Sequence, residues 1–222
     1  MFETLFRKNA GQSLAPIEPP RMLSGLFASV ATDLVVPDAV GITILGFDYY
    51  GAPVLSVLDW NLLELNAEVL EGLGDALITR FVELAQGVNL TGGGTAETST
   101  VVVDPTGAGQ VLAERMGASS WANVDVVPPE IVEVDVRQRV LAASAHLNGR
   151  RVKLTRAAYE KSATFKRHPG NHLLRQIKAF GIGAEASREQ TPPGALLIAL
   201  ANGIACAATD PAIRARLMGA SQ

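Results

Sequence analysis

The sequence contains one cysteine and no apolar run long enough to cross a membrane. Cys206 stands in an apolar helical pattern, which predicts a small buried hydrophobe rather than a catalytic thiol. The most apolar stretch, residues 195–208, is interrupted by Asn202 and Gly203 and is shorter than the roughly 20 residues of a spanning helix. Residues 1–20 lack the continuous apolar core of a secretory signal. We therefore expect a cytoplasmic protein with no membrane partner.

Two functional motifs are also missing. The glycine-rich segment at residues 91–95 contains no lysine and does not match the phosphate-binding loop of an ATPase motor, so it is interpreted as a connector. The three histidines are not spaced as metal ligands. At 222 residues, nearly half of them apolar, the chain is long enough for one well-buried domain, or for one domain with a short extension.

Charge is distributed very unevenly along the chain. Residues 1–136 carry 18 acidic and 5 basic side chains, whereas residues 137–222 carry 4 acidic and 14 basic ones. The segment 137–178 alone holds eleven lysines and arginines and a single acid, Glu160. This asymmetry indicates a basic face for a polyanion. A solvated helical surface, or a contact with the acidic half of the same chain, explains it equally well.

Hydrophobic periodicity predicts an α/β fold. Segments 41–48 and 53–59 are typical of a β-hairpin, and 100–103 and 123–127 of buried strands. The other predicted elements are helices at 61–86 (capped by Asp59), 110–116, 132–147, 157–180 (broken at 169–170) and 194–208, and a basic strand at 150–155. This order favours a mixed sheet with helices on both faces. Residues 1–39 are interpreted as an N-terminal arm or linker with a short helix at 21–32, and residues 40–222 as the domain.

The most informative stretch is Val101-Val-Val-Asp-Pro-Thr-Gly-Ala-Gly109. Its β-branched residues predict a buried strand that ends at Asp104, and its proline and glycines predict a tight turn into a helix. A carboxylate at the carboxyl end of a buried strand, facing a helix N-terminus, is a common active-site position in α/β proteins. Alternatively, Asp104 caps the turn that follows it, and Asp48 is an ordinary hairpin residue.

Together with Ile44-Leu-Gly-Phe-Asp48, this stretch resembles the nuclease domain of phage terminase large subunits, which has the ribonuclease H-like fold. The resemblance covers residues 40–208 and includes a helix followed by a Gly-Arg-rich strand at 137–156. A similar signature occurs in ribokinase-like sugar kinases, but Gln110 stands where their catalytic aspartate would be.

The resemblance implies a nuclease site. In such nucleases, acids from different elements hold two Mg²⁺ or Mn²⁺ ions roughly 4 Å apart. By position, Asp48 and Asp104 would be catalytic metal ligands, brought together if their strands are parallel neighbours. The basic region 137–178 would contact nucleic acid, through Arg137, Arg139, Arg150, Arg151, Lys153 and Arg156.

The sequence departs from the family where the third acidic site belongs. The family has a His-Asp-Asp motif before its last helix, whereas residues 189–195 here have no acid at the matching positions. Glu185 or Glu189 would have to reach in from the loop. We therefore expect a catalytically degenerate relative that acts as a binding or assembly component on DNA or in a phage or nucleoprotein complex, with a protein partner or by self-assembly. The alternative is an active Mg²⁺- or Mn²⁺-dependent endonuclease.

Overall fold

In the part of the chain that the structure describes, a mixed sheet of seven strands forms the centre. The computed structural model describes residues 15–36, 38–48, 53–90, 99–118, 123–181, 192–211 and 214. The strands within these residues are β1 (Met22–Thr32), β2 (Ala39–Asp48), β3 (Leu55–Glu64), β4 (Asn89–Leu90), β5 (Thr100–Val103), β6 (Val124–Val126), β7 (Val152–Leu154), β8 (Ala163–Phe165) and β9 (His168–Gly170). The helices are α1 (Ala67–Gly87), α2 (Gly109–Gly117), α3 (Pro129–Val132), α4 (Val136–Asn148), α5 (Arg156–Glu160), α6 (His172–Gly181) and α7 (Ala195–Ala207).

The strand order across the sheet is β6-β5-β1-β2-β3-β7, with β4 beside β1, and β8 and β9 form a separate hairpin. β2 is antiparallel to both of its neighbours, β1 and β3, whereas β5 pairs parallel with β1, β6 with β5, and β7 with β3. The predicted α/β class with a mixed sheet is confirmed.

The central strand of the sheet is β1, in the segment where the sequence pattern predicts a short helix. That prediction is wrong, because β1 pairs with both β2 and β5 and is buried without interruption from Leu26 to Thr32. A strand that is covered on both faces lacks the alternation of apolar and polar residues that identifies a half-exposed strand. The sheet therefore includes residues before position 40, inside the predicted N-terminal arm.

β2 and β3 form the predicted antiparallel hairpin, but the helix after it begins later than expected. β3 continues to Glu64, so residues 61–64 are strand rather than helix. Asn66, not Asp59, caps α1 by accepting a backbone hydrogen bond from its first turn. Asp59 instead lies buried within β3, where Nε of Arg80 donates to its carboxylate at 2.6 Å.

Helices cover both faces of the sheet. α1 and α2 bury residues such as Phe81 and Leu112 against one face, and α4, α5, α6 and α7 pack on the other. α7 is buried along most of its length and lies on β1 and β2. At Gly41 in β2, an added Cβ would lie 2.3 Å from the carbonyl carbon of Ala195, so this close approach requires glycine. Among the helices described, none is long and apolar enough to cross a membrane.

Turn chemistry divides two segments that are predicted as helices. The segment 157–180 comprises α5, the β8–β9 hairpin and α6, and the two turn residues Lys166 and Arg167 have φ angles of 46° and 67°. The segment 132–147 is divided at Asp135, whose side chain accepts two backbone N–H bonds and begins α4. These local hydrogen bonds and turn conformations outweigh the apolar periodicity.

Candidate functional site

The two predicted metal ligands lie near opposite ends of the sheet. Asp104 follows β5, and its backbone N–H donates to the carbonyl of Val30 near the end of β1. Asp48 ends β2, which runs in the opposite direction, and pairs with Leu23 near the start of β1. The seven strand positions from Leu23 to Val30 correspond to roughly 23 Å. The expectation that the two carboxylates adjoin is therefore wrong, because β1 separates β2 from β5 and β2 is antiparallel to both.

Asp104 is fully buried, and both of its carboxylate oxygens accept hydrogen bonds. Oδ1 accepts from the backbone N–H of Thr106 at 3.0 Å and from its hydroxyl at 2.6 Å. Oδ2 accepts from Nδ2 of Asn202 at 2.6 Å and from Nη1 of Arg139 at 3.2 Å. The bonds from Thr106 agree with the alternative prediction that Asp104 caps the turn after its strand.

Arg139 and Asn202 come from different helices, α4 and α7, and meet at Asp104. Nη1 of Arg139 also donates to Oδ1 of Asn202 at 2.5 Å, so the three side chains form a closed ring of hydrogen bonds. Side-chain exposure is 4% for Arg139 and 1% for Asp104, which places the ion pair out of water. Nε of Arg139 is buried and has no hydrogen-bond partner among the described residues. The guanidinium supplies the positive charge that a buried carboxylate needs.

The surroundings of Asp104 keep it ionised. Burial is the largest influence on its pKa and acts to raise it. The hydrogen bonds from Thr106 and Asn202 and the charge of Arg139 act in the opposite direction and together outweigh burial. The pKa of Asp104 therefore lies below its ordinary value of 3.8, and the side chain is a carboxylate at neutral pH.

The predicted tight turn after β5 is present and fixes Asp104 in place. Oγ1 of Thr32, at the end of β1, donates to the carbonyl of Thr106 at 3.1 Å. Gly107 has a φ of 59°, which glycine adopts without strain. An added Cβ at Gly109 would lie 1.8 Å from the carbonyl oxygen of Asp104. The close approach makes glycine necessary at position 109, and the backbone conformation favours it at position 107.

β1 places no carboxylate beside Asp104. The parallel pairing of Val30 with Val103 puts the next residue of β1, Ala31, at the level of Asp104, and Ala31 packs in an apolar cluster with α7. Asp33 follows the strand, but its Oδ1 accepts two backbone N–H bonds from its own turn, at 2.8 and 3.0 Å. Its Oδ2 accepts the N–H of Ala195 at 3.1 Å. Asp33 therefore ties the β1–β2 turn to the first residue of α7.

Sequence reasoning missed the partners of Asp104, although both leave a signal. Its charge predicts Arg139 on the basic face. However, Arg139 stands four residues before Ala143, which faces the core in α4, and residues with this spacing lie on the same face of a helix. Asn202 is an amide within an otherwise apolar helix. A polar side chain on a buried face needs a hydrogen-bonding partner elsewhere in the fold.

The oxygen ligands at this position fit a divalent ion poorly. Mg²⁺ and Mn²⁺ prefer several oxygen ligands, and a two-ion site needs acids from different elements. Within the described ranges, no three His, Cys, Asp or Glu side chains come together as a metal site. Both oxygens of Asp104 already accept donors, one of them cationic. Glu185 and Glu189, the predicted substitutes for the third acid, lie outside the described residues.

Asp48 belongs to a separate polar cluster. It is 3% exposed, and the hydroxyl of Ser56 in β3 lies 3.1 and 3.0 Å from its two oxygens. Ser56 pairs across the strands with Lys153 of β7, which is also buried. Burial, and then the charge of Arg150, lower the pKa of Lys153. The assignments of Asp48 to metal and Lys153 to phosphate stay predictions, now for side chains that the fold largely encloses.

The predicted basic face is narrower than the sequence indicates. Arg139 and Lys153 are buried, so their side chains are turned into the protein. Arg156 is exposed, but its guanidinium lies 2.7 Å from a carboxylate oxygen of Glu18. Arg150 is exposed in the turn between α4 and β7. The two remaining residues of the predicted set, Arg137 and Arg151, are partly exposed.

No protein-family model matches the chain, and no curated protein matches it in sequence. In structure it is similar to the manganese-soaked nuclease domain of the human cytomegalovirus terminase. The TM-score is 0.56 at 11% identity for the inhibitor-bound form and 0.52 at 12% for a second manganese-soaked form, each over 94% of this chain and 96% of that chain. The large terminase of a thermophilic bacteriophage gives a TM-score of 0.40 at 11% identity, over 74% of this chain and 40% of that one. The fold is ribonuclease H-like.

In this ribonuclease H-like domain, the similarity extends over nearly the whole chain, and it confirms the fold that the stretch from Val101 to Gly109 indicates. Identity near one residue in nine establishes the fold and not the chemistry. The chemistry has to be argued from the side chains around Asp104.

Proposed function

We propose that this ribonuclease H-like domain is a relative of terminase nuclease domains that does not cleave DNA and acts as a binding or assembly component on DNA, within a phage or nucleoprotein complex. One observation carries the proposal: the carboxylate of Asp104 is bonded to Arg139 and Asn202, in the position where a nuclease of this fold would use a strand-end acid.

The chemical reason is that an arginine cannot replace a metal ion in hydrolysis. A divalent ion exposes open coordination positions, lowers the pKa of a bound water and contacts the leaving oxygen. A guanidinium has only N–H donors, remains protonated throughout the physiological range and holds no water as a hydroxide. Arg139 thus neutralises Asp104 while offering none of these functions.

Binding to DNA depends on different side chains. The chain's second half has exposed basic residues at the surface, whereas the Asp104 ring is buried, and phosphate contacts need only exposed cations. Loss of hydrolysis and retention of binding are therefore compatible in one domain. The fold likeness to terminase nuclease domains supports DNA as the polyanion.

The test compares cleavage and binding under identical conditions. Supercoiled plasmid is incubated with the protein in Mg²⁺, in Mn²⁺ and in EDTA, and a labelled duplex is titrated by fluorescence anisotropy. We expect no nicking above the protein-free control, and duplex binding that needs no divalent ion and is therefore retained in EDTA. The matched control is Asp104→Asn, checked for folding by circular dichroism.

Metal-dependent nicking that disappears in Asp104→Asn would establish the active endonuclease instead. Absence of duplex binding at low salt would remove DNA as the partner and leave only the fold assignment. A melting temperature that rises steeply with Mn²⁺ would also count against the proposal, because it would reveal a functional metal site.

A further inference from the structure

Three non-glycine residues among those described have a positive φ angle, and all three are basic. They are Arg150 (60°), Lys166 (46°) and Arg167 (67°). Left-handed backbone conformations favour glycine and, after it, asparagine and aspartate, because a Cβ crowds the following carbonyl. Three long cationic side chains at such positions are not what backbone preference selects. The pattern therefore points to selection for the side chains themselves.

The Lys166–Arg167 turn shows the conflict most clearly. Phe165 pairs with His168, so the hairpin has a two-residue loop with both φ angles positive. That turn type strongly prefers Asn-Gly. Here both loop residues are instead exposed cations. Nζ of Lys166 bonds the Asp38 carboxylate at 2.6 Å, an exposed pair of the kind that a phosphate can replace.

The two cationic turns lie at opposite ends of β3. The carbonyl of Arg151, next to Arg150, accepts the N–H of Leu55, the first residue of β3. Asp38, which holds Lys166, accepts the N–H of Leu65 through its carbonyl, immediately after the last residue of β3. A strand of ten residues is about 30 Å long. One helical turn of duplex DNA is about 34–36 Å, a difference that the long side chains can span.

Three other cations lie on the stretch between the two turns. Arg156, at the start of α5, lies 2.7 Å from Glu18 and 3.6 Å from Glu160. Lys153 is buried, and Lys161 bonds the Asp59 carboxylate at 2.8 Å. One of these cations is buried and two are bonded to carboxylates, as Lys166 is, and the two turns stand at the ends of this stretch.

From the shared backbone conformation, the charge and the spacing, we propose that Arg150 and the Lys166–Arg167 turn form a two-point contact for duplex DNA, gripping phosphates about one helical turn apart. This site rests on the proposed function, since it specifies how the domain would hold DNA. It also assigns the contact to residues that lie largely outside the set that the sequence pattern predicts.

The experiment uses variants that remove charge while relieving backbone strain: Arg150→Gly, and Lys166→Asn with Arg167→Gly. A structural role for these residues predicts that the variants lose stability. The proposed role predicts that they gain it, with melting temperatures about 2–4 °C higher, and that they bind DNA more weakly. Arg156→Gln, an exposed arginine with carboxylate partners, is the matched control for loss of one positive charge.

Binding is measured by anisotropy with labelled duplexes of 8 and 16 base pairs between 50 and 200 mM salt. Each lost phosphate contact lowers the slope of log affinity against log salt concentration by about 0.9. Between 50 and 200 mM salt, the affinity of Arg150→Gly should therefore fall by a factor about 3.5 times smaller than the wild-type affinity does, and that of the double variant by a factor about 12 times smaller. The 8-base-pair duplex is about 27 Å long, so it contains no two phosphates that lie one helical turn apart. Lengthening the duplex to 16 base pairs should strengthen wild-type binding at least tenfold at equal base-pair concentration, and should strengthen binding by the variants much less.

Several outcomes would overturn the inference. If all the glycine variants bind DNA with the wild-type affinity and the wild-type dependence on salt, the contact lies elsewhere and the proposed function survives. Equal gains from duplex length in wild type and variants would reject the two-point geometry. If the wild-type protein binds an acidic peptide such as polyglutamate through these turns but not duplex DNA, the partner is a protein and both proposals fail as stated. Arg150→Gln and Arg167→Gln, which remove the charge but keep a polar side chain, serve as checks if a glycine variant does not fold.

Discussion

Replacing Arg139 by glutamine should destabilise the protein far more than replacing any exposed arginine. The substitution leaves the carboxylate of Asp104 buried without a cation, and removing one member of a buried ion pair costs about 3–5 kcal/mol. Because a domain of this size loses about 2–4 °C of melting temperature per kcal/mol, the expected decrease is about 6–20 °C. Arg156→Gln, which breaks an exposed pair with Glu18, should leave the melting temperature almost unchanged.

The double variant Asp104→Asn/Arg139→Gln separates the charge from the packing. It removes both charges and keeps amide groups that can still bond Asn202, so its loss of stability should be smaller than the sum of the two single losses. A coupling energy of about 2 kcal/mol or more is expected, measured by urea unfolding of the four proteins in the cycle. A loss in Arg139→Gln no larger than that in Arg156→Gln, or strict additivity in the cycle, would refute the view that the guanidinium neutralises Asp104.

Three further predictions concern the same region. Because the pKa of Asp104 is lowered in the folded state, its ionisation stabilises the protein above the unfolded pKa of about 3.9, and this stability is lost as the pH falls through the folded pKa. The free energy of unfolding, measured in urea between pH 2 and 7, should therefore depend less on acid in Arg139→Gln than in wild type. Gly109→Ala should destabilise the protein by about 1–3 kcal/mol, because the new Cβ would meet the Asp104 carbonyl oxygen at 1.8 Å. Gly72→Ala has nothing within 4 Å of its Cβ and should stabilise α1 by about 0.5–1 kcal/mol. Equal effects of the two variants in thermal melts would contradict this geometry. Burial, and then the charge of Asp104, raise the pKa of the Cys206 thiol to about 12. Iodoacetamide at pH 8 should therefore label the native protein at least a hundredfold more slowly than the urea-unfolded protein. Rapid labelling of the native protein would show that the thiol is accessible and ionised.

The parts of the fold that the sequence reveals are those set by local chemistry. The strand–turn–helix around Asp104 combines β-branched residues, a proline and glycines at positions that only one conformation suits, and the structure has that conformation. β1 escapes prediction for the opposite reason: its character comes from burial between β2 and β5, which no local pattern records. Taking residues 41–48 as the first strand therefore puts Asp48 on the wrong strand for a shared site.

The candidate site is still harder to predict because its members are distant in sequence. Asp104 is 35 residues from Arg139 and 98 from Asn202. The charge pattern of the segment 137–178 treats every arginine as surface charge, although Arg139 is nearly inaccessible and Arg150 is exposed. Only the packing of α4 and α7 on the sheet distinguishes a structural arginine from one that is able to contact a partner.

The survival of an acid at the end of a central strand is therefore weak evidence for catalysis unless its counter-charge is known. A buried carboxylate must be neutralised, and either a metal ion or a guanidinium does so. The metal comes from solvent and brings reactive water with it, whereas Arg139 is delivered by folding and links α4, α7 and β5 through one group. Asp104 then has a structural reason to remain an aspartate even where hydrolysis is lost. If the domain does not cleave DNA, as we propose, no further acid is needed here, because Arg139 already holds the Asp104 carboxylate between the sheet and the two helices.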